Sequence, residues 1–303
     1  MRGAESGIST RMTDVLGIRH PVMSAGMGHL AVPSLVAAVS AAGGLGVLAT
    51  STLTPDEARE SIREVRRLTS APFGANILLR SDYAADIAAV VVDERVPVVN
   101  LALGIDADLV AGVHGYGGTV FSTVTTVRHA ASAAACGVDA LIATGHEAGG
   151  HGGDVSTMVL VPLLVGRVAL PVIAAGGFSD GAGLAAALML GAEGISMGSR
   201  FALSAESPIH SSVRDRLLQA AASDTIVTDQ IDGLPSRVLR AESLGRDTFA
   251  ALRRGDLDRG VVAIGQVVGM IDDTPTCAEI IQRVVSEARQ LIAGRASEFN
   301  PPT

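Results

Sequence analysis

The chain contains no lysine; all 23 of its Lys-plus-Arg residues are arginine. Schiff-base aldolases, pyridoxal-phosphate enzymes and P-loop NTPases each need a lysine amine, so the composition excludes them. Tryptophan is absent, and only two Tyr and six Phe are present. Few stacking surfaces, together with a formal net charge of -8 and no basic cluster, argue against nucleic acid as a partner. Two cysteines occur, Cys136 and Cys277, and neither has a CxxC partner. Both sit in apolar helical patterns and read as buried free thiols of a reducing compartment. No apolar run spans a membrane without Gly or charge, and the opening "MRGAESGIST" has no signal-peptide core. The expectation is a cytoplasmic protein with no membrane partner, and a homodimer is left open.

What is present is apolar and periodic. Of 303 residues, 48% are hydrophobic, enough for one large α/β barrel or two ordinary domains. Short apolar runs at 20–25, 44–49, 73–78, 96–102, 118–124, 138–144, 170–175 and 191–198 read as strands. Helix-spaced stretches such as "PDEARESIREVRRLT" lie between them. Eight strand–helix alternations predict a (β/α)8 TIM barrel of α/β class over residues 10–203 and 263–296. Residues 204–262 are richer in charge and read as a helical insertion or cap, and 297–303 as a disordered tail.

Ligands of such barrels bind at the carboxyl ends of the strands, and glycines cluster there. "AGMG" follows the first strand, "GHEAGGHGG" the sixth, "AAGGFSDG" the seventh and "MGSRF" the eighth. The turns at Gly176–Gly177 and Gly198 present backbone amides where barrels of this kind bind phosphate, a site that needs no lysine. The alternative is that these glycines only close tight turns. In "GHEAGGHGG" the histidines His146 and His151 are five apart, so they do not share a helical face as zinc ligands in HExxH do; no metal is expected. His151, a loop imidazole on glycines, suits general acid/base work, whereas His146 reads as a polar loop residue. Glu147 either orients a histidine, bonds a ligand or is solvated. Asn76, at a strand mouth, either caps a loop or bonds a planar heterocycle.

"HPVMSAGMG", "PFGANILL", "GHEAGGHGG", "PVIAAGGFSDG", "GAEGISMGSRF" and "IGQVVGMIDDTPTCAEII" occur in the order seen in the nitronate monooxygenase family, formerly 2-nitropropane dioxygenase. The chain resembles that family over about residues 10–203 and 262–295. The family also includes FMN-dependent NAD(P)H:quinone reductases and enoyl-acyl-carrier-protein reductases. The resemblance implies an FMN-binding barrel in which Gly26, Met27 and Gly28 line the flavin ring and Asn76 bonds the ring or its ribityl chain. It implies that Gly149 touches the flavin edge, that Ala175, Gly176, Gly177, Gly198 and Ser199 hold the phosphate, and that His151 is catalytic. Thr123 stands where some members carry a lysine beside the flavin. A hydroxyl donates a hydrogen bond but supplies no charge, which leaves backbone dipoles or an arginine to stabilise the reduced ring.

Three readings follow. The first is a flavoenzyme oxidising alkyl nitronates with O2 to carbonyl compounds and nitrite. The second keeps FMN but uses NAD(P)H with a quinone or enoyl-thioester acceptor. The third, from another class, is a non-redox barrel that binds a phosphorylated ligand.

Overall fold

In the computed structural model, which describes residues 7–241 and 245–299, eight parallel strands form a barrel. They are β1 (Val22–Ser24), β2 (Gly46–Ala49), β3 (Phe73–Leu78), β4 (Val98–Ala102), β5 (Thr119–Val124), β6 (Ala140–Thr144), β7 (Val172–Ala175) and β8 (Gly194–Met197). Each falls inside an apolar run identified above. The sheet runs in the order β1-β8-β7-β6-β5-β4-β3-β2. A parallel bridge, Met23–Leu45, brings its two ends together, with Ser24 N donating to Leu45 O at 2.9 Å and Leu45 N to Val22 O at 3.0 Å.

The helices of the main body are α1 (Arg11–Leu16), α2 (Pro33–Ala41), α3 (Pro55–Leu68), α4 (Ala84–Asp93), α5 (Ala107–His114), α6 (Val127–Ala135), α7 (Thr157–Val165), α8 (Gly181–Met189) and α9 (Ser199–Ala202). Helix α3 shows how local sequence and packing agree. Thr54 and Glu57 form a reciprocal capping box, Pro55 opens the helix, and Arg66 and Arg67 lie in its last turn, where cations complement the dipole. Ala58, Ile62 and Val65 recur on one face and are buried against the sheet. Inside the barrel, Met23, Val47, Phe121, Ile142 and Ile173 pack together, and α1 supplies Met12 and Leu16 to the same cluster.

After α9 the chain leaves the barrel for α10 (Ser211–Leu218), strands β9 (Thr225–Thr228) and β10 (Ser236–Leu239), and α11 (Thr248–Arg254). Leu203, Ile209, Val213, Leu217, Leu252 and Ile264 give this excursion its own core. The β9–β10 hairpin corrects the expectation of helices and loops alone. Its register runs from Ser236 opposite Thr228 to Leu239 opposite Thr225. Strands of four residues are too short to reveal a period, and all of β10 is buried, so no polar alternation marks it. The last helix, α12 (Cys277–Phe299), packs against α8 and α2 and fills the eighth helical position that the short α9 leaves open. It continues past residue 297, where the sequence reading expected disorder to begin, and residues 300–303 lie outside the described ones.

Two glycines, one crowded and one not, yield stability predictions. A Cβ on Gly46 would lie 2.0 Å from Val36 O, so α2 seats directly on β2. Gly46→Ala is expected to destabilise the fold by about 1–3 kcal/mol through overpacking. Gly112→Ala, inside α5 with its nearest neighbour at an ordinary 3.5 Å, is expected to stabilise by about 0.5–1 kcal/mol. Denaturant unfolding of both variants checks the pair.

Glu94 accepts from Arg59 at 2.9 Å and lies 2.9 Å from an Arg63 nitrogen. Burial pushes its carboxyl up, but hydrogen bonds from Arg63 and Arg59 outweigh this and hold it below its ordinary value of 4.5. A depressed carboxylate adds stability at neutral pH that is lost as pH falls through the folded value. Glu94→Gln is therefore expected to flatten the loss of stability below about pH 4.5, measured as unfolding midpoint against pH.

Candidate functional site

A cavity of about 1190 Å³ opens at the carboxyl ends of the strands. The twelve residues to which the sequence reading gave a catalytic or cofactor-binding role all line it, and His146 does not. Gly26, Met27 and Gly28 follow β1, Asn76 lies on β3 and Thr123 on β5. Gly149 and His151 come from the loop after β6. Ala175, Gly176 and Gly177 come from the end of β7, and Gly198 and Ser199 from the end of β8.

Three adjacent strands build a polar strip on this lining. Asn76 pairs in register with Asn100 of β4. Asn100 Nδ2 donates to Asn76 Oδ1 at 2.6 Å and to Thr123 Oγ1 at 3.1 Å, and the Thr123 hydroxyl returns a bond to Asn100 Oδ1 at 3.2 Å. The acceptor of each buried amide is satisfied in this way, Asn76 Oδ1 by Asn100 and Asn100 Oδ1 by Thr123. Asn76 Nδ2 has no hydrogen-bond acceptor among the described residues. A Cβ on Gly26 would meet Asn76 Cβ at 2.4 Å, so only glycine lets the first loop pass over this strip. Asn100 escaped the sequence reading; the signal was a lone polar residue in the apolar run "VPVVNLA".

The glycine-rich loop is held from both sides. Glu147 accepts from Thr157 N at 3.1 and 3.0 Å and from Thr157 Oγ1 at 2.7 Å, satisfying a free amide at the start of α7. From the hairpin, Arg237 donates to His146 O at 3.0 Å, His146 Nε2 at 2.8 Å and Thr225 Oγ1 at 3.0 Å. A guanidinium cannot accept, so His146 Nε2 is the acceptor and its hydrogen sits on Nδ1. His146 is thus a structural link, as the polar-loop reading expected. Arg237 is only 4% exposed, and burial lowers its affinity for the proton against the opposing charge of Glu147. Gly150 exchanges backbone bonds with Arg237 at 2.9 and 2.8 Å and needs its positive φ of 74°. Gly149 sits so close to Ile264 and Gly265 that a Cβ would lie 2.6 Å from the Ile264 carbonyl carbon.

The turns after β7 and β8 meet at this loop. Gly176 and Gly177 have φ of 98° and 83°, and a Cβ on Gly176 would come within 3.2 Å of Ala148 N. Ser199 Oγ accepts from Gly265 N at 3.0 Å. Among the described residues, the amides of Gly176, Gly177, Gly198 and Ser199 donate to no group of the chain. Unmatched amides on one cavity wall suit an anion.

His151 Nε2 lies 2.9 Å from Asp232 Oδ2, and both residues line the cavity. Asp232 sits in the hairpin turn, 81 positions along the chain, so nothing near His151 in the sequence reveals it. Neither cysteine reaches the cavity, and burial pushes the Cys277 thiol up to about 12, which fits an inert core thiol. Among the described residues no cluster of His, Cys, Asp or Glu has the makings of a metal site, and no helix is long and apolar enough to cross a membrane.

Comparisons with known proteins identify the family and the fold. The family model for nitronate monooxygenase matches residues 9–90 and 87–250. The chain is 37% identical to (3aS,4S,5R,7aS)-5-hydroxy-7a-methyl-1-oxo-octahydro-1H-indene-4-carboxyl-CoA dehydrogenase of Mycobacterium tuberculosis, covering 93% of this chain and 96% of that protein. It is 31% identical to a nitronate monooxygenase of Paraburkholderia phytofirmans, over 92% of this chain and 94% of that one. FabK from Thermotoga maritima superimposes with a TM-score of 0.91 at 37% identity, covering 96% of this chain and 99% of FabK. An eight-stranded barrel, glycine turns at its rim and a family match over most of the chain lead to one conclusion: this protein is an oxidoreductase of the nitronate monooxygenase family.

Proposed function

We propose that the chain is an FMN-dependent oxidoreductase acting on an acyl thioester, at the carbon beside the thioester carbonyl. The observation that carries this reading is the cavity. At about 1190 Å³ it exceeds the roughly 300–1,000 Å³ usual for one small ligand, and so suits a cofactor together with a bulky acyl group. The name of the M. tuberculosis relative, a carboxyl-CoA dehydrogenase, favours the same substrate class.

The residues present fit FMN. Four amides without acceptors, those of Gly176, Gly177, Gly198 and Ser199, suit its phosphate, and a side chain at Gly176 or Gly177 would be strained. The free Asn76 Nδ2 and the Thr123 hydroxyl suit the polar edge of its ring. When bound, FMN supplies a ring that takes up or returns two electrons. The chain supplies the rest. Amide dipoles hold the dianion without lysine, and the Asn76–Asn100–Thr123 strip offers neutral hydrogen bonds. His151 takes the proton from the carbon beside the carbonyl, or returns it in the reductive direction.

A second reading, oxidation of alkyl nitronates with O2, draws on the family model and on the P. phytofirmans relative. Anaerobic mixing of the yellow protein with an acyl-CoA, with NADH or NADPH, and with a nitronate separates the two. Bleaching of the visible flavin band by acyl-CoA, or by a pyridine nucleotide with recovery on adding an enoyl-CoA, is the expected result. Bleaching by nitronate alone selects the second reading. Colourless protein that takes up no FMN returns the site to a non-redox phosphate-binding barrel.

Two variants probe the assignments. His151→Ala is expected to keep FMN and lose turnover about 10²- to 10⁴-fold, as removal of an acid/base group does. Gly176→Ala, forced to φ of 98° with a side chain, is expected to weaken FMN binding about 10- to 100-fold, the equivalent of about 1–3 kcal/mol of backbone strain. Fluorescence titration of apoprotein with FMN measures it.

A further inference from the structure

The geometry points to Asp232, carried in on the β9–β10 hairpin, as the positioning residue of His151, an assignment that rests on His151 being the proton-accepting group of this site. A carboxylate only accepts hydrogen bonds, so the 2.9 Å bond from His151 puts the ring hydrogen on Nε2. Nδ1 is then the one nitrogen with a lone pair for a substrate proton. The other Asp232 oxygen accepts from Leu234 N at 3.1 Å, which fixes the carboxylate within its turn. One residue before His151, Gly150 is paired to Arg237 of the same hairpin. The hairpin therefore fixes both the backbone that carries the imidazole and the ring itself.

The need for such a device is local. His151 stands between Gly149–Gly150 and Gly152–Gly153, the residues with the widest backbone freedom. Nothing in the barrel proper bonds its ring among the described residues. The pair is also too open to be a stability element: the side chains are 27% and 44% exposed, and exposed ion pairs add little to folding. Its effect lies in orientation and tautomer, as a carboxylate behind a catalytic histidine acts elsewhere. On this assignment the excursion between α9 and α12 completes the acid/base apparatus, and the barrel alone lacks it.

The test combines a spectrum with a double-mutant cycle. In holoprotein with ¹⁵N-labelled histidine, at a pH where imidazoles are neutral, the His151 signal is identified by its loss in His151→Ala. The expected wild-type state is the Nε2–H tautomer, giving way to a mixture in Asp232→Ala and restored in Asp232→Asn, whose side-chain oxygen still accepts. A wild-type Nδ1–H tautomer, or one unchanged in Asp232→Ala, overturns the assignment. In turnover, Asp232→Ala is expected to lose about 10- to 100-fold, the scale of a misplaced reacting group. It should retain FMN, and it should cost nothing further in a His151→Ala background. Equal losses in both backgrounds mean that Asp232 acts on the fold and not through His151. If no thioester or nitronate is turned over, the functional reading fails, and the tautomer still decides the role of Asp232.

Discussion

One buried guanidinium joins the two parts of this protein. Arg237 reaches from the hairpin to the carbonyl and ring of His146 and to Thr225, while its own backbone pairs with Gly150. The cost of burying that charge is offset by these bonds and by the nearby carboxylate of Glu147. The Arg237 side chain adds to the Glu147 cap on α7 and to the backbone bonds His146 N–Val155 O and Gln266 N–Glu147 O in holding a loop of five glycines in nine residues. That contact ties the hairpin to the loop that lines one side of the cavity.

The second constraint is electrostatic. A chain with no lysine has only arginine and backbone amides with which to meet an anion, and Arg80 lines the cavity. It offers amide groups, aimed by glycines in conformations that other residues adopt at a cost. Dipoles set in a rigid rim lose no side-chain entropy on binding, and they leave the polar strip of Asn76, Asn100 and Thr123 neutral.

Much of this was legible in the residues. The eight strands announced themselves as apolar runs because a parallel barrel strand is covered on both faces. The glycines marked the rim because tight turns and close backbone approach exclude side chains. What the sequence concealed shares one cause: it is made by contacts across long stretches of chain. Asn100 looks like an isolated polar residue until β3 and β5 flank it. Asp232 and Arg237 lie in a charged excursion whose short strands carry no period, and their partners, His151 and His146, are 81 and 91 positions away. The sequence reading put residues 263–296 in the barrel, and α12 packs there against α8 and α2.

That last placement bears on how the molecule is made. Synthesis delivers β1 through β8 before the excursion, and α12 only at the very end. Until then the seam beside α2 and α8 has no helical cover, and Gly265, which packs beneath Glu147 and Ser199, has not arrived. On the ribosome the eighth helical position is therefore filled after all eight strands are available to pair. Ser199 likewise gains its Gly265 partner only after the whole excursion has been made.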